Sequence, residues 1–335
     1  MILVTGGSGF LGAHLLAQLT QKYPHVRSLY RNPKGLEKVR EVFGYYFDDP
    51  TVFFDKIEWI RCDLNDITTL SEALQGISEV YHVAGLINFE WRRHRELKNT
   101  NTIGTANLVD CCLEAQVKKL CYISSIAALG QRSNDQPQDT FEPGIIKDPY
   151  GLTKYGGELE VWRGAQEGLQ VTILRPGVIL GEGFWRSGSS FLLKFVSTEP
   201  KWYPPGGTGF VDVQDVVRFA TKLMEEGKHN LSLILVGHNM SYFDVLQKIG
   251  RALGSQKPPK WAIPRWVGVL AHYLDFVRAW VTGAPQKLPK AYIDAMFEPT
   301  SYDGKPAELQ TQLNYTNLEQ TLKRICDRAP YRLLN

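Results

Sequence analysis

The chain has 335 residues, of which 43% are apolar, and it carries 38 basic against 35 acidic side chains. It is long enough to form one large domain with a lobe, or two modest domains, around a sizeable core. The near balance of charge, without a long run of either sign, gives no reason to expect a nucleic-acid-binding surface or a strongly acidic partner.

Short β-rich runs alternate with helical patterns through the first half of the chain. The β-rich runs are ILVT, VRSLY, KIEWIRC, SEVYHV, KKLCYIS and VTILR, and the helical patterns cover 11–21, 34–43, 66–75, 93–115 and 149–167. This alternation indicates βαβ units, and therefore an α/β fold with a doubly wound parallel sheet covered on both faces. Residues 44–56 lengthen one crossover, and their aromatic residues predict a surface insertion whose rings pack together.

A glycine-rich loop, TGGSGFLG, follows the first strand and precedes an amphipathic helix. Its glycines allow a tight turn, a close backbone approach to a pyrophosphate and close packing of helix on strand. The helix N-terminus adds free N–H groups and a positive dipole. This context predicts a dinucleotide site, and the alternative is an ordinary strand-to-helix turn. The expected cofactor-binding residues of the loop are Gly6, Gly9, Phe10, Leu11 and Gly12.

The ends of the next strands bear on which dinucleotide binds. An NAD site usually carries an acid after the second strand. Here Arg31 stands in that region, and its guanidinium suits a 2′-phosphate, so we expect NADP. NAD is the alternative if Arg31 is only a solvated charge. After the third strand, Asp63 would accept a hydrogen bond from the adenine and Leu64 would cover the ring. After the fourth, the small residues Ala84 and Gly85 would let a ribose lie across the strand end.

A helix with two tyrosines is predicted in the stretch DPYGLTKYGGE, where Asp148 and Pro149 form a good N-cap and first helical position. Four apolar side chains fall on one arc of this helix: Leu152, Tyr155, Leu159 and Trp162. The stripe predicts that the Tyr155 side faces the core. Tyr150 and Lys154 then share the opposite side, where the ammonium would lower the pKa of the phenol. The pair predicts a proton-exchanging tyrosine, and the alternative is a surface tyrosine beside a solvated lysine.

After about residue 177 the alternation breaks, and a smaller, mostly helical lobe is predicted from helical patterns at 213–226, 241–253, 264–281 and 316–327. We assign 1–177 to a cofactor-binding domain that also takes strands from about 208–240, and 178–207 with 241–335 to a substrate-binding lobe. Aromatic residues and prolines between 183 and 207 suit an apolar or ring-bearing substrate, with Arg186 and Lys201 for a polar end. Equally, these aromatics would join the lobe to the sheet.

Several features bear on location and chemistry. The start, MILVTGGSGF, leaves no basic region or cleavage site for a signal peptide, so we expect a cytoplasmic protein. Charged residues interrupt the apolar stretch 266–281, which predicts a lobe helix rather than a transmembrane segment, with a peripheral membrane contact as the alternative. The five cysteines lack C-x-x-C spacing, so we expect reduced packing residues and no metal site.

Seven motifs occur in order along the chain. They are TGGSGFLG at 5–12, HVAG at 82–85, NTIGT at 101–105, YISSIAALG at 122–130, the Y-x-x-x-K of 150–154, RPG at 175–177 and FVDVQDVV at 210–217. With them the chain resembles the extended short-chain dehydrogenase/reductases of the NAD-dependent epimerase/dehydratase superfamily. Within that group it is most similar to the branch of dihydroflavonol 4-reductase and 3β-hydroxysteroid dehydrogenase. The resemblance implies a Rossmann fold and covers nearly the full length.

The resemblance also implies a role for each matched position. Ser125 would hydrogen-bond the substrate oxygen, Tyr150 would pass the proton, and Lys154 would bind the nicotinamide ribose and tune Tyr150. These three are the expected catalytic residues, and the hydride belongs to the cofactor. Further expected cofactor-binding residues are Asn101, for which Asn99 is an alternative, with Pro176 and Val178, beside Tyr150 and Lys154 themselves.

The expected function is that of an NADP(H)-dependent oxidoreductase that interconverts a ketone or aldehyde with an alcohol. A nucleotide-sugar epimerase or dehydratase with tightly bound NAD is the alternative. Many such enzymes carry an asparagine for the diphosphate shortly after the sixth strand, and the sequence RPGVILG at 175–181 has none. The third hypothesis is a protein that senses the cofactor without catalysing a reaction. The expected partners are a small carbonyl or alcohol substrate and, from the habit of the family, a second copy in a homodimer.

Overall fold

The computed structural model describes residues 1–130, 144–185, 190–254 and 259–330. Its strands are β1 (Ile2–Thr5), β2 (Val26–Tyr30), β3 (Ile57–Arg61), β4 (Glu79–His82), β5 (Lys119–Ile123), β6 (Gln170–Pro176), β7 (Val178–Leu180), β8 (Trp202–Tyr203), β9 (Gly207–Asp212), β10 (Leu231–Leu235), β11 (His238–Ser241) and β12 (Trp261–Ala262). Short 3₁₀ turns lie at Trp91–Arg93 and Ile126–Leu129, and Asn99–Ile103 is π-helical.

The α-helices begin with α1 (Phe10–Lys22), α2 (Lys34–Phe43), α3 (Pro50–Phe54), α4 (Ile67–Ala73), α5 (His94–Lys98), α6 (Gly104–Glu114) and α7 (Pro149–Gln166). They continue with α8 (Ser190–Ser197), α9 (Val213–Glu226), α10 (Tyr242–Ala252), α11 (Arg265–Thr282), α12 (Lys290–Phe297), α13 (Lys305–Thr311) and α14 (Leu318–Arg328). The helices predicted in the second half are all present, whereas α8, α12 and α13 had no clear pattern.

Seven strands form one parallel sheet in the order β10-β6-β5-β4-β1-β2-β3. One face is covered by α1, α2 and α9 around side chains such as Leu16 and Phe219, and the other by α4, α6 and α7 around Leu108 and Val161. The prediction of a doubly wound α/β fold is therefore confirmed. Because β1 lies between β2 and β4, the chain reverses direction across the sheet there, which is where ligands bind in such folds.

The lobe contains two small sheets and most of the later helices. Of the strands that were expected from about 208–240 in the cofactor-binding domain, only β10 joins the parallel sheet, whereas β9 and β11 form a separate sheet with β7. Strand β12 pairs in parallel with β8. Buried side chains such as Leu193, Leu246 and Leu322 bring α8, α10 and α14 together in a separate core. These three helices therefore share a hydrophobic core of their own. Arg186, which was proposed for the polar end of a substrate, lies outside the described residues.

The 44–56 insertion does more than pack its own rings. Phe47 and Phe53 stack at 3.7 Å between centroids, as predicted. However, Phe54 is buried in the main core, and the Tyr46 hydroxyl lies 2.6 Å from Nδ1 of His14. The insertion is therefore anchored to the Rossmann core rather than lying only on its surface.

The five cysteines of the chain lie in described segments, and four of them are buried. All five cysteines are free; Cys62, Cys111, Cys112 and Cys121 are buried, and burial raises the pKa of their thiols. They are packing residues. Among the helices of the described ranges, none combines the length and the apolar character needed to cross a bilayer.

Candidate active site

Helix α7 begins as predicted but faces the other way. The Asp148 side chain accepts a hydrogen bond from the Gly151 amide at 2.7 Å, with Pro149 at the first position. The prediction that the apolar stripe faces the core is wrong, because Leu152 and Leu159 are 41% and 51% exposed and Tyr155 and Trp162 are half-buried. The buried side consists of Tyr150, Gly151, Thr153, Lys154, Gly157, Glu158, Val161 and Gly164.

Glycines explain this orientation. A Cβ atom at Gly157 would lie 2.4 Å from the Tyr122 hydroxyl and 2.6 Å from the carbonyl oxygen of Asn101. A Cβ at Gly151 would lie 2.4 Å from the carbonyl oxygen of Ala127. The absence of side chains lets α7 approach its neighbours closely, and this contact holds polar side chains beneath the helix.

Tyr150 is buried at the edge of the site, with 9% of its surface exposed. Its ring meets Phe89 edge-on at 5.4 Å. Burial raises the pKa of the phenol to about 12, while a hydrogen bond with the Ser125 hydroxyl acts in the opposite direction. The expectation that Lys154 lowers this pKa is thus wrong for the protein alone, because desolvation of the phenolate outweighs the favourable contacts.

Lys154 lies one helical turn further into the protein. Its Nζ donates to the carbonyl oxygen of Ile123 at 2.7 Å and lies 4.2 Å from the centroid of the Tyr122 ring. Burial lowers the pKa of the ammonium to about 7, and the carboxylate of Glu158 raises it in part. A Cβ at Gly85 would lie only 3.7 Å from Nζ, so the lysine reaches the end of β4.

The two serines after β5 face different surroundings. Ser125 begins the following 3₁₀ turn, and its Oγ accepts from the Ala127 amide at 3.2 Å while meeting the Tyr150 hydroxyl. Ser124 is buried, and its Oγ donates to a Glu158 oxygen at 2.5 Å. The structure therefore brings Ser125, and not Ser124, to Tyr150.

A buried ion pair below the site was missed from the sequence. Arg175, at the end of β6, donates to both carboxylate oxygens of Glu158, at 2.9 Å and 2.6 Å. Both side chains are almost fully buried. Glu158 lies four residues after Lys154, and this spacing was the available signal. The pair fixes the carboxylate that faces both Ser124 and the Lys154 ammonium.

Asn101 occupies a π-helical segment that divides the predicted 93–115 helix. Its Oδ1 accepts from the Leu86 amide at 2.8 Å, and its Nδ2 donates to Leu86 O at 2.9 Å and to the Thr153 hydroxyl at 3.1 Å. Asn99 is exposed. Of the two asparagines, Asn101 is therefore the one that ties the loop after β4 to α7, and π-helical turns are often found at functional sites.

The glycine loop is shaped for a pyrophosphate. Gly6 has φ +69°, and a Cβ there would lie 2.6 Å from Ala84 Cα, while a Cβ at Gly12 would lie 2.3 Å from the Gly6 oxygen. Gly9 is the N-cap residue of α1 and has no side chain to bond the first amides of the helix, so these amides are available to an anion. Leu11 is buried in the core and has only its amide to offer, whereas Phe10 packs edge-on against His14 and Phe184. The residues present fit a dinucleotide.

The residues expected to bind the adenosine half of the cofactor lie in the loops after β2 and β3. Arg31 is exposed, and its segment adjoins the glycine loop because a Cβ at Gly35 would lie 2.9 Å from Ser8 Cβ. Asp63 is exposed and accepts from the amide and side chain of Asn65. The N-cap of α4 is Asp66, so Asp63 is not the capping residue of that helix. Leu64 is buried and packs against the start of α6, since a Cβ atom at Gly104 would lie only 2.9 Å from the Leu64 Cβ.

The remaining expected cofactor residues lie at the same edge of the sheet. The Ala84 amide donates to the Thr5 hydroxyl at 3.2 Å, directly beside the glycine loop. Pro176 is the buried last residue of β6, and Val178 is half-buried in β7, where it pairs with Phe210. Because parallel strands end together, the sheet collects these positions, with Ser125, Tyr150 and Lys154, at its carboxyl edge.

The aromatic side chains beside Tyr150 come from the loop after β4 and from α12. Tyr292 of α12 contacts Phe89 at 4.6 Å between centroids, and Phe89 contacts Tyr150. Trp185 instead donates to Glu41 of α2 at 2.9 Å and so joins the lobe to the main domain. Lys201 is exposed. The aromatic residues of 183–207 therefore act at least partly as domain contacts, and sequence analysis missed Phe89 and Tyr292.

Comparison with known proteins identifies the family of this chain. Residues 2–236 match the NAD dependent epimerase/dehydratase family. A putative dihydroflavonol 4-reductase of Synechocystis is 26% identical over 331 residues, 95% of this chain and 91% of that protein. A 3beta-hydroxysteroid-dehydrogenase/decarboxylase of Arabidopsis thaliana is 27% identical over 64% of this chain and 50% of that protein.

Solved structures share the fold. A UDP-glucose 4-epimerase of Thermotoga maritima, solved with UDP-glucose, aligns with a TM-score of 0.77 at 20% identity, over 98% of this chain and 97% of that one. The family comprises NAD(P)-dependent reductases, epimerases and dehydratases, as the branch resemblance implied. From its motifs, its sheet and the family match over residues 2–236, this chain belongs to the NAD dependent epimerase/dehydratase family.

Proposed function

We propose that this protein is an NADP(H)-dependent oxidoreductase that interconverts a ketone or aldehyde with an alcohol. The observation that carries the proposal is the meeting of the Tyr150 and Ser125 hydroxyls above a buried Lys154. Two hydroxyl groups at one point can hold and protonate a single substrate oxygen. The name of the Synechocystis relative, a putative dihydroflavonol 4-reductase, supports the reductase reading.

In the direction of reduction, Ser125 would hold the carbonyl oxygen and Tyr150 would donate a proton to it. Because burial raises the Tyr150 pKa to about 12, the phenol keeps its proton at neutral pH and is ready to act as the acid. Lys154 of α7, whose Nζ reaches the loop after β4, would bind the nicotinamide ribose. The nicotinamide, when bound, supplies the hydride.

Selectivity for NADP rests on Arg31. Its segment adjoins the glycine loop, and no acid follows β2 directly, so a 2′-phosphate would meet a guanidinium rather than a like charge. Arg31→Asp is expected to lower kcat/KM for NADPH about 100-fold, which corresponds to about 3 kcal/mol, with a much smaller change for NADH. Arg251→Asp, at an exposed arginine of α10, is the matched control. Equal use of both cofactors by the unaltered protein would disprove the preference.

The activity is tested by mixing purified protein with NADPH and ring-bearing ketones and aldehydes, and following loss of NADPH absorbance. Oxidation of NADPH that is absent in Tyr150→Phe is the expected result. Tightly held NAD in the purified protein, with no net NADPH oxidation, would favour a nucleotide-sugar epimerase instead. Binding of NADPH without turnover of any carbonyl would favour a cofactor sensor.

We also propose a homodimer and a cytoplasmic location, as expected from the sequence. The exposed Leu152 and Leu159 of α7, with Ile103 nearby in the chain segment that packs on α7, offer an apolar surface for a second copy. Sedimentation velocity of Leu152→Glu/Leu159→Glu tests the dimer, because a change to monomer is expected. A monomeric unaltered protein would disprove it.

A further inference from the structure

Helix α11 turns an apolar face to solvent along its whole length. Nine side chains are each at least 40% exposed: Trp266, Val269, Leu270, Tyr273, Leu274, Phe276, Val277, Trp280 and Val281. At about 100° per residue they cover an arc of about 160° that contains no charged residue. The opposite side, with buried Gly268, Asp275 and Ala279, attaches the helix to the lobe. Packing among the residues that the structure describes does not account for this exposed apolar face.

Two further tryptophans continue this surface. Trp202 of β8 and Trp261 of β12 are 50% and 60% exposed, pair in register and have ring centroids 6.4 Å apart. Strand β12 ends three residues before α11 begins. We call α11's nine apolar side chains and these two tryptophans the lobe apolar surface; it holds half of the eight tryptophans in the chain.

Basic residues border the lobe apolar surface. Segments 200–206 and 259–298 contain six lysines and arginines against three carboxylates. Asp275 is held by Arg278 and by the amides of residues 287 and 288, and the other two carboxylates lie within 4 Å of Arg265. The exposed lysines of these segments are Lys201, Lys260, Lys287 and Lys290. The surface is therefore apolar at its centre with an excess of positive charge at its border.

We propose that the lobe apolar surface lies on a lipid bilayer that contains anionic headgroups, with the axis of α11 parallel to the membrane plane. Apolar side chains at both ends of a helix about 27 Å long require a flat rather than an end-on orientation. Tryptophan and tyrosine favour the level of the headgroups, and bordering lysines favour anionic lipids. Since no described helix can cross a membrane, contact with one leaflet is the arrangement that fits.

This surface is connected to the candidate active site. Helix α12 packs on α11, where a Cβ at Gly268 would lie 2.6 Å from the Phe297 ring, and Tyr292 of α12 contacts Phe89, which contacts Tyr150. Two ring contacts and the packing of α12 on α11 thus connect Tyr150 to the helix whose exposed side would meet the bilayer, so that an apolar substrate could enter from the lipid. This consequence rests on the proposed function, whereas membrane binding does not and is tested separately.

The test is cosedimentation of the full chain with vesicles of phosphatidylcholine alone or with added phosphatidylserine. Binding is expected to be strongest with phosphatidylserine and to weaken in high salt. Leu270→Glu/Leu274→Glu should lower the partition coefficient about tenfold or more, because it places two charges on the buried side of the contact. Leu309→Glu, at a leucine of α13 that is 71% exposed, is the matched control and should bind as the unaltered protein does.

Three further measurements distinguish loss of membrane binding from loss of folding. Thermal unfolding must give the same midpoint for the variant and the control, and Trp280→Ser supplies a second, uncharged change that should also weaken binding. Lys287→Ala/Lys290→Ala should lower binding to phosphatidylserine vesicles more than to phosphatidylcholine vesicles. An unaltered protein that stays in the supernatant with both vesicles overturns the proposal. So does a dimer that Leu270→Glu/Leu274→Glu dissociates while vesicles bind neither form, because a second copy then covers the surface.

Discussion

Helices α7 and α11 have 18 residues each, and both leave leucines in water. They differ in what they bury. Helix α7 buries a tyrosine, a lysine and a glutamate under the carboxyl edge of the sheet, whereas α11 buries little besides Gly268, Asp275 and Ala279. In both, glycine lies on the packed side. The comparison teaches that a run of apolar side chains defines a helix face, while the close approach allowed by glycine decides which face packs.

The two helices also differ in how their buried charges are held. Glu158 of α7 is fully enclosed and is bound by Arg175 and Ser124. Asp275 of α11 is bound by Arg278 of the same helix and by the backbone amides of residues 287 and 288, which follow the helix. Burial of an ion pair does not by itself stabilise a fold, so the α7 network is better explained by the site above it.

The largest effect is expected at the buried face of α7. Tyr150→Phe should lower kcat for carbonyl reduction by about 10²–10⁴-fold, because the phenol is the proposed proton donor. Tyr155→Phe removes a hydroxyl from the half-buried side of the same helix and should leave kcat nearly unchanged. Steady-state kinetics with NADPH measure both. Equal losses in the two variants would show that Tyr150 has no special role.

The buried ion pair comes next. Glu158→Gln leaves Arg175 without its carboxylate and should lower the free energy of unfolding by about 3–5 kcal/mol. Glu160→Gln removes a partner from a half-exposed pair with Arg163 on the same helix, and should cost less than about 1 kcal/mol. Urea denaturation of both variants gives the difference. A cost for Glu158→Gln no larger than the control would contradict the assigned network.

The raised pKa of Tyr150 predicts opposite behaviour in the two reaction directions. Alcohol oxidation needs the phenolate, which is scarce below a pKa of about 12, so its rate should rise about tenfold per pH unit from about pH 7 to 9. Carbonyl reduction uses the protonated phenol and should not rise over that range. Rates measured in both directions check this. A pH-independent oxidation rate that is limited by chemistry would mean that Tyr150 is not the base.

Close packing of α7 predicts a smaller effect. Gly157→Ala places a Cβ against the Tyr122 hydroxyl and the Asn101 carbonyl, and should destabilise the protein by about 1–3 kcal/mol. At Gly156 the nearest atoms belong to the Thr102 side chain, which can move, so Gly156→Ala should cost less. Denaturant midpoints measure both variants. Equal costs would mean that the Gly157 side is not the closely packed one.

The smallest effect is expected on the exposed apolar faces. Leu274→Gln on α11 should change the free energy of unfolding by no more than about 0.5 kcal/mol at any protein concentration, because its side chain is not buried within the chain. Leu159→Gln on α7 should match it only in dilute solution, because the α7 face is the one proposed to meet a second copy. Denaturation at several protein concentrations is the measurement. A larger loss for Leu274→Gln that grows with protein concentration would show that a second copy covers the α11 face.

Much of the fold was predictable because its signals are local. The alternation of strand and helix patterns, the glycine loop after β1 and the start of α7 at Asp148 and Pro149 all lie within short stretches. The motifs also placed Ser125 and Tyr150 correctly relative to one another. Such signals depend on neighbours in the chain, so the sequence contains them directly.

By itself, the sequence determined the fold class and the alternation of strands and helices in the first half of the chain. Only the tertiary structure decided which side of α7 is buried, that Arg175 pairs with Glu158, that burial raises the Tyr150 pKa, and that α11 keeps its apolar side in water. The physical reason is distance along the chain. Burial and pairing depend on surfaces brought together from remote segments, and helical periodicity does not indicate which side of a helix they cover.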